Sequence, residues 1–334
     1  MRIGLSYDLR EDFAQVGAGV EDALEEYDSR ETVELLATSL EAIGHSVMML
    51  GGGRKFINNI LHQKVDLVFN IAEGRGNYRS REAQVPAILE MLGIPYTGSD
   101  PLCLATCLDK PLTKKLVALE GVTTPKWRLV IDKGELERIS LHDFAFPVII
   151  KPVHEGSSKG IRLASVAEDG IQAIGEAGRI LESYNQPVMV EEFINGDEVT
   201  VGVIGNSPPK VMGVMRILPK NKNGRFVYSL KVKRDYKNLL EYECPARLGN
   251  KVLEEIRMSS LKAFKTLGCR DFARIDFRIS LEGIPYFIEI NPLPGLSTHS
   301  DLVIMVIKIG WTHKELVNAI LNAALKRYPQ CVTV

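Results

Sequence analysis

The stretch CRDFARIDFRISLEGIPYFIEINPLPGLS, residues 269–297, limits the fold more than any other part of the chain. Two runs rich in β-branched and aromatic residues flank the short turn Ser280-Leu281-Glu282-Gly283, which predicts two antiparallel strands. Strand side chains alternate between faces with a period of two. Arg274, Asp276 and Arg278 therefore share one face, and Ile275, Phe277 and Ile279 share the other. On the return strand the same spacing groups Phe287, Glu289 and Asn291 against Ile288 and Ile290. One pairing register brings Asp276, Glu289 and Asn291 onto a single surface. Three hard oxygen donors of this kind suit Mg²⁺ that also holds phosphate oxygens. A half-polar solvated hairpin is the alternative, but acids set among β-branched and aromatic residues on both strands are unusual for a plain surface face.

At 334 residues the chain has room for two or three domains and a real core. Its first hundred residues alternate strand and helix signals. Strands are expected at 2–6, 46–50, 67–71 and 94–97, and helices at 32–43 and 86–91. The first helix carries the apolar stripe Val33, Leu36, Leu40 and Ile43, with Ser29 as its cap candidate and Gly44 as its stop. Such alternation predicts a parallel sheet with helices on its faces, and ligands at the carboxyl ends of its strands. Two segments lie at those ends. Residues 8–29 carry Glu11, Asp12, Glu21, Asp22, Glu25, Glu26 and Asp28, and read as a solvated loop and helix start. The loop EGRGNYRSR, residues 73–81, sets Glu73 beside Arg75, Arg79 and Arg81, with Glu82 next. Mixed charges there can orient an amino acid by both its ends, or form a surface salt-bridge cluster.

The middle of the chain carries groups suited to phosphate. Lys151 closes the apolar run 147–152, and EGSSKG follows at 155–160 before a strand resumes at 161–163. Backbone N–H groups, the Ser157 and Ser158 hydroxyls and flanking lysines can all donate to a polyphosphate. An ordinary flexible hairpin is the alternative, and Lys151 at the strand end weighs toward the phosphate. Glu191 closes another strand, at 187–192, where an acid can accept from an adenine amine or a ribose hydroxyl. Residues 220–243 form a long charged segment with Lys231, Lys233, Arg234, Asp235, Tyr236 and Lys237. Long loops in compact domains are commonly functional, and this one reads as a basic lid over an anionic nucleotide.

Several function classes are excluded. The net charge of −1 gives no bulk electrostatic case for nucleic acid or an anionic membrane. No apolar run has membrane-spanning length, and the first seven residues read as a strand rather than a secretory signal. Five scattered cysteines, an odd number, fit a reducing cytoplasm rather than a disulfide framework. Cys103 and Cys107 share a helical face. With no further Cys or His close by in the sequence, they read as core packing rather than a redox or metal pair.

In order and spacing, Lys110, Lys151, the EGSSKG turn, Glu191, Glu198, RIDF at 274–277 and EINPLPG at 289–295 resemble the ATP-grasp superfamily. Within it they are similar to the D-alanine–D-alanine ligases. The resemblance covers the chain from about Lys110 to its end and weakens over the first hundred residues. It implies a three-domain α/β ATP-grasp fold. An N-terminal parallel-sheet domain would span 1–100, with two α+β subdomains at 101–186 and 187–334 enclosing ATP. Lys110 and Lys151 would contact phosphates, Glu155 and Ser158 would help to bind ATP, and Glu191 and Glu198 would hold adenine and ribose. Asp276, Glu289 and Asn291 would bind two Mg²⁺, with Mn²⁺ as the alternative ion. Ser157 would sit near the first substrate, Lys233 would act from the lid, and Arg274 would stabilise the transferring phosphate and the tetrahedral intermediate. Gly295 and Ser300 would flank the second substrate.

The activity so implied is ADP-forming peptide-bond synthesis through an acylphosphate. D-alanine would be the default substrate, a cell-wall precursor dipeptide the product, and a cytoplasmic homodimer the working form. The departures cluster at substrate-facing positions. The family's glutamate for the first ammonium has its nearest equivalent in Glu25-Glu26-Tyr27-Asp28-Ser29, and its His-Gly pair is replaced by Glu73-Gly74 and an Arg-rich loop with Arg79 and Arg81. The lid's Lys-Tyr pair is matched by Lys233-Arg234-Asp235-Tyr236, and Asp301 stands where the family has an apolar residue. Three other functions stay open. They are a ligase of the same mechanism using other amino acids or a small peptide, an ATP-grasp enzyme acting on a metabolite acid, and a catalytically silent ATP-binding module.

Overall fold

The computed structural model describes residues 1–13, 20–221 and 225–331. Parts of the acidic segment 8–29 and of the lid segment 220–243 thus lie outside the described residues. Three sheets organise the chain. In the first, β1 (Arg2–Ser6), β2 (Ser46–Gly51) and β3 (Leu67–Asn70) run parallel in the order β2-β1-β3. The helix Arg30–Glu41 packs beside them, capped by the Ser29 side chain, which accepts from the Thr32 N–H. The strand expected at 94–97 is reduced to one bridge between Val68 and Tyr96. Pro95 accepts from the Val68 N–H but has no N–H to return, so the ladder stops.

The second sheet contains β4 (Trp127–Val130), β5 (Val148–Pro152), β6 (Val166–Ala167) and β7 (Val188–Glu192), antiparallel in the order β4-β7-β5-β6. Ala173, Ala177 and Ile180 of the helix Gly170–Tyr184 pack against Val148, Ile150, Val188 and Val190. No strand resumes at 161–163. Ser157 and Ser158 take left-handed φ values of 50° and 60°, and Gly160 has φ 76°. The chain therefore coils into a compact turn, with a 3₁₀ turn at Leu163–Ser165 before β6.

The third sheet is β8 (Gly196–Ile204), β9 (Lys210–Pro219), β10 (Leu240–Glu243), β11 (Phe272–Ser280) and β12 (Pro285–Asn291), in the order β10-β9-β8-β11-β12. One face buries Val199, Val201, Ile275 and Phe277 against Ile256, Ala263 and Phe264 of the helix Asn250–Thr266. The opposite face carries Glu198, Thr200, Arg274, Asp276 and Arg278 beside the buried Met215 and Ile217. The expected hairpin is present, but with one extra residue. Arg274 pairs with Asn291 and Asp276 with Glu289, and then Phe277 pairs with Phe287. Ile288 is bulged out of the register, which moves Phe287 off the polar face. Phe287 is fully buried edge-on to Phe277, and Ile288 joins Glu289 on the polar side.

The lid segment is more structured than a loop, holding the short helices Leu230–Arg234 and Tyr236–Leu239 and the edge strand β10. At the chain's end, the helices Asp301–Lys308 and His313–Leu325 return to the first sheet. Leu302, Val303, Leu316 and Ile320 complete one core with Ile3, Leu5, Leu36 and Leu40. Cys103 and Cys107 are in core packing, but they are not alone. Cys269 comes within 3.6 Å of Cys103, so three free thiols touch in that core. No helix among the described residues is long and apolar enough to cross a membrane.

Candidate active site

Two adjoining cavities open onto the polar face of the third sheet. The smaller, about 80 Å³, lies between that face and β5 and β7 and is lined by Lys110, Lys151, Glu191, Glu198, Asp276 and Glu289. The larger, about 720 Å³, runs from Arg274 and Asn291 toward the first sheet. Gly156, Tyr228 and Lys233 line both.

At the junction, Asp276 faces Glu289 across β11 and β12. Thr200 on β8 donates to Asp276 at 2.7 Å, and Arg274 donates to it at 2.8–3.1 Å. The Asn291 amide nitrogen is 3.4 Å from an oxygen of each carboxylate. Lys110 stands 3.5 Å from Glu289. Burial works against the Glu289 charge, but Lys110, Arg274 and Lys151 outweigh it and hold the carboxyl at about 2. Burial pushes Asp276 up against the pull of Arg274, and the ionised Glu289 adds to the rise. Two facing carboxylates, one ionised and one destabilised by its neighbour, with an amide beside them, form an all-oxygen donor set. That set fits a hard divalent cation.

On the side of the smaller cavity, Glu191 is 1% exposed and forms ion pairs with Lys151 and with Lys114, the latter at 2.5 Å. Burial lowers the fully buried Lys114 to about 8, although Glu191 opposes that fall. Lys114 was absent from the sequence-based candidates. It lies four residues after Lys110 in the helix Lys110–Leu119, a spacing that puts both lysines on one face. Glu198 accepts from Arg278 at 2.6 Å. The Glu155 carboxylate is taken up by Lys159, by Gln186 at 2.7 Å and by Arg81 at 3.4 Å, while Lys110 donates to its carbonyl. Ser158 donates to the Tyr228 carbonyl at 2.9 Å, tying the EGSSKG turn to the lid segment. The Lys233 ammonium lies 4.7 Å from the centre of the Tyr228 ring.

The larger cavity gathers Ser157, Arg274, Gly295, Ser300, Asp301 and Glu73. Arg274 is bonded to Asp276, which lines the smaller cavity, and stands 3.9 Å from Asp301 in the larger one. Asp301 is 6% exposed and accepts from the Tyr228 hydroxyl at 2.7 Å. A side chain on Gly295 would come 2.9 Å from the Ser300 hydroxyl, so this wall tolerates only glycine without a shift. Arg79 stands outside the cavity, its side chain 76% exposed and 3.8 Å from Asp109. Arg81 points the other way. Its buried guanidinium donates to Glu26 at 2.8 and 2.9 Å and to the His154 carbonyl at 2.7 Å.

The acidic segment before the first helix is therefore not simply solvated. Glu26 also accepts from Lys159 at 3.1 Å and from the Gly156 N–H. Asp22 is buried, accepting from the Tyr184 hydroxyl and from the Gly160 N–H at 2.7 Å. These acids clamp the EGSSKG turn to the first sheet. Their partners lie more than fifty residues away, so local sequence could not pair them. Thr200 and Tyr228 were missed as well. Thr200 was within reach, since a period of two puts it on the same face as Glu198.

The chain resembles known proteins in sequence and in fold. A family model described as the D-ala D-ala ligase C-terminus matches residues 116–322. A D-alanine–D-alanine ligase of Aquifex aeolicus is 33% identical over 303 residues, covering 88% of this chain and 94% of that protein. One from Delftia acidovorans is 37% identical over 251 residues, 75% of this chain and 74% of that protein. The crystal structure of the Bacillus anthracis D-alanine–D-alanine ligase complexed with ATP superposes with a TM-score of 0.77 over 99% of both chains, at 24% identity. At that identity the likeness speaks for the fold.

Proposed function

The chain belongs to the D-alanine–D-alanine ligase family, and on that premise we propose that it joins the carboxylate of one amino acid to the amine of another, with D-alanine as the default for both. It is an ATP-dependent, ADP-forming ligase. The observation that carries the reading is the pairing of Asp276 with Glu289 beside Arg274, where the two cavities meet.

The chemistry needs what these residues offer. A carboxylate is a poor acceptor for an amine, because the departing group would be an oxide. Transfer of the γ-phosphate of ATP turns that oxygen into phosphate, and the amine then displaces it. Lys110 and Lys151 bring positive charge to the phosphates in the smaller cavity, and Glu191 holds Lys151 in place. Glu198 would meet the ribose, and Glu191, buried and ion-paired with Lys114 and Lys151, would act on the adenine side through those lysines. Asp276, Glu289 and Asn291 would hold two Mg²⁺, which would supply positive charge to offset the negative charge of the phosphates. Arg274 reaches toward both cavities, so it can follow the negative charge from the phosphoryl group to the tetrahedral centre. Ser157, Gly295 and Ser300 position the reacting amino acids, and the segment bearing Lys233 closes over them to exclude water.

Three units follow the sheets: 1–100, a central unit and a C-terminal unit. The strand Val188–Glu192 pairs inside the central sheet, so the last boundary is better set after Glu192 than at 186. Cytoplasmic residence and a homodimer complete the proposal, the former supported by five free cysteines. The test is ADP release by the full chain with ATP, Mg²⁺ and D-alanine, with the dipeptide identified by mass. ATP binding without ADP formation for any amino-acid pair would favour a silent binding module.

A further inference from the structure

The larger cavity holds more acidic groups than two neutral α-amino acids can use. The carboxylates of Asp28, Glu73 and Glu82 line it with no hydrogen-bond or ion-pair partner among the described residues. The cavity's other principal acids are committed: Glu26 to Arg81 and Lys159, Glu25 to Arg10 and Arg234, and Asp301 to Tyr228. Its cations are engaged too. Arg10 and Arg234 are held by Glu25, and Arg274 by Asp276, while Lys233 and Lys237 lie over the Tyr228 and Tyr236 rings. None of them pairs with the three free acids.

Glu73 stands close enough to Glu82 and to Asp28 for their charges to repel it, and the pull of Arg81 on Glu73 and Glu82 does not cancel the rise. Burial first, then Glu82, Glu26 and Asp28, push Glu73 well above the ordinary carboxyl range. Burial lifts Glu82 to about 8 and Asp28 to about 7. Enclosed carboxylates without partners are costly to ionise, and a bound cation removes that cost. One α-ammonium satisfies one of them and leaves two. The volume of about 720 Å³ falls in the range of pockets that take drug-sized ligands, so a long side chain has room.

We propose that this wall of the cavity selects an amino acid whose side chain ends in an amine or guanidinium, with Glu73, Glu82 and Asp28 setting the preference. The inference rests on the ligase function proposed above. The α-ammonium takes one carboxylate, and the side-chain cation lies between the other two.

The test compares lysine, ornithine and arginine with alanine, each in both configurations, as substrates for ADP release by the full chain. Binding of lysine and alanine is measured by calorimetry on the same protein with a non-hydrolysable ATP analogue. The expected result is a preference for the cationic substrates of roughly tenfold or more in kcat/KM and in binding. Glu73→Gln and Glu82→Gln should each cut the lysine-to-alanine ratio by a similar factor. Equal or better use of alanine, or a ratio unchanged in both variants, overturns the inference. If no pair releases ADP yet lysine still binds in preference to alanine, the ligase function falls and this inference stands. If ADP forms with D-alanine alone, the reverse holds.

Discussion

The Tyr228 hydroxyl donates a 2.7 Å hydrogen bond to the Asp301 carboxylate, joining the segment over the cavity to the helix that begins beside Arg274. Without that donor, Asp301 keeps Tyr242 and Arg274 as its neighbours, and the freed charge would draw the guanidinium away from Asp276. Tyr228→Phe is therefore expected to lower kcat by roughly tenfold, the value of one hydrogen bond to a charged group. Steady-state ADP release measures it, and an unchanged kcat would refute the link.

Arg274 is bonded to Asp276 and stands 3.9 Å from Asp301, and in the proposed reaction it would serve both halves. Arg274→Ala should reduce turnover by roughly 10²–10³-fold, as loss of one preorganised donor does elsewhere. Asp276→Asn should be comparably damaging, because it weakens the divalent-cation site. ATP binding followed by calorimetry should survive Arg274→Ala. Turnover retained in both variants would remove these residues from the chemistry.

Lys114 tests the buried pair beneath the nucleotide. Lys114→Met keeps the volume and leaves Glu191 with Lys151 alone. Removing one partner of a buried pair costs about 3 kcal/mol or more, so the urea midpoint should drop clearly. An unmoved midpoint would mean that Lys151 suffices for Glu191.

Glu82 gives stability a definite slope with pH. Its folded pKa is raised by burial from 4.5 to about 8. Between those values the folded chain keeps a proton that the unfolded chain has released, so stability falls as pH rises through that window. Asp28 acts in the same direction from 3.8 to about 7. Glu82→Gln should match the parent's Tm near pH 4.5 and exceed it near pH 8.5. Parallel Tm curves for the two proteins would contradict the shift.

The grouping of Asp276, Glu289 and Asn291 was legible because they lie on two adjacent strands, where a period of two says which side chains share a face. The bulge at Ile288 was not. Phe287 and Ile288 are both apolar, and the pattern cannot say which of them enters the core. The strand at 94–97 failed for a reason the sequence does contain, the missing N–H of Pro95. Arg79 and Arg81 sit two residues apart in a loop. Without a strand's alternation nothing local shows that one faces solvent and the other clamps Glu26. Lys114 was half legible through its spacing from Lys110, but its partner Glu191 comes from a different sheet.

The core shared by the two ends of the chain sets an order on synthesis. Leu5 and Leu36 emerge from the ribosome early, yet they pack against Leu302, Leu316 and Ile320. Domains commonly fold one after another as the chain is made, the N-terminal one first. Here part of the first sheet's apolar face stays open until the helices Asp301–Lys308 and His313–Leu325 have been made. A nascent chain stalled before residue 301, or a message truncated there, would leave the central and C-terminal sheets able to form beside an unfinished first unit. Quality-control proteases would then meet that exposed face before any substrate did.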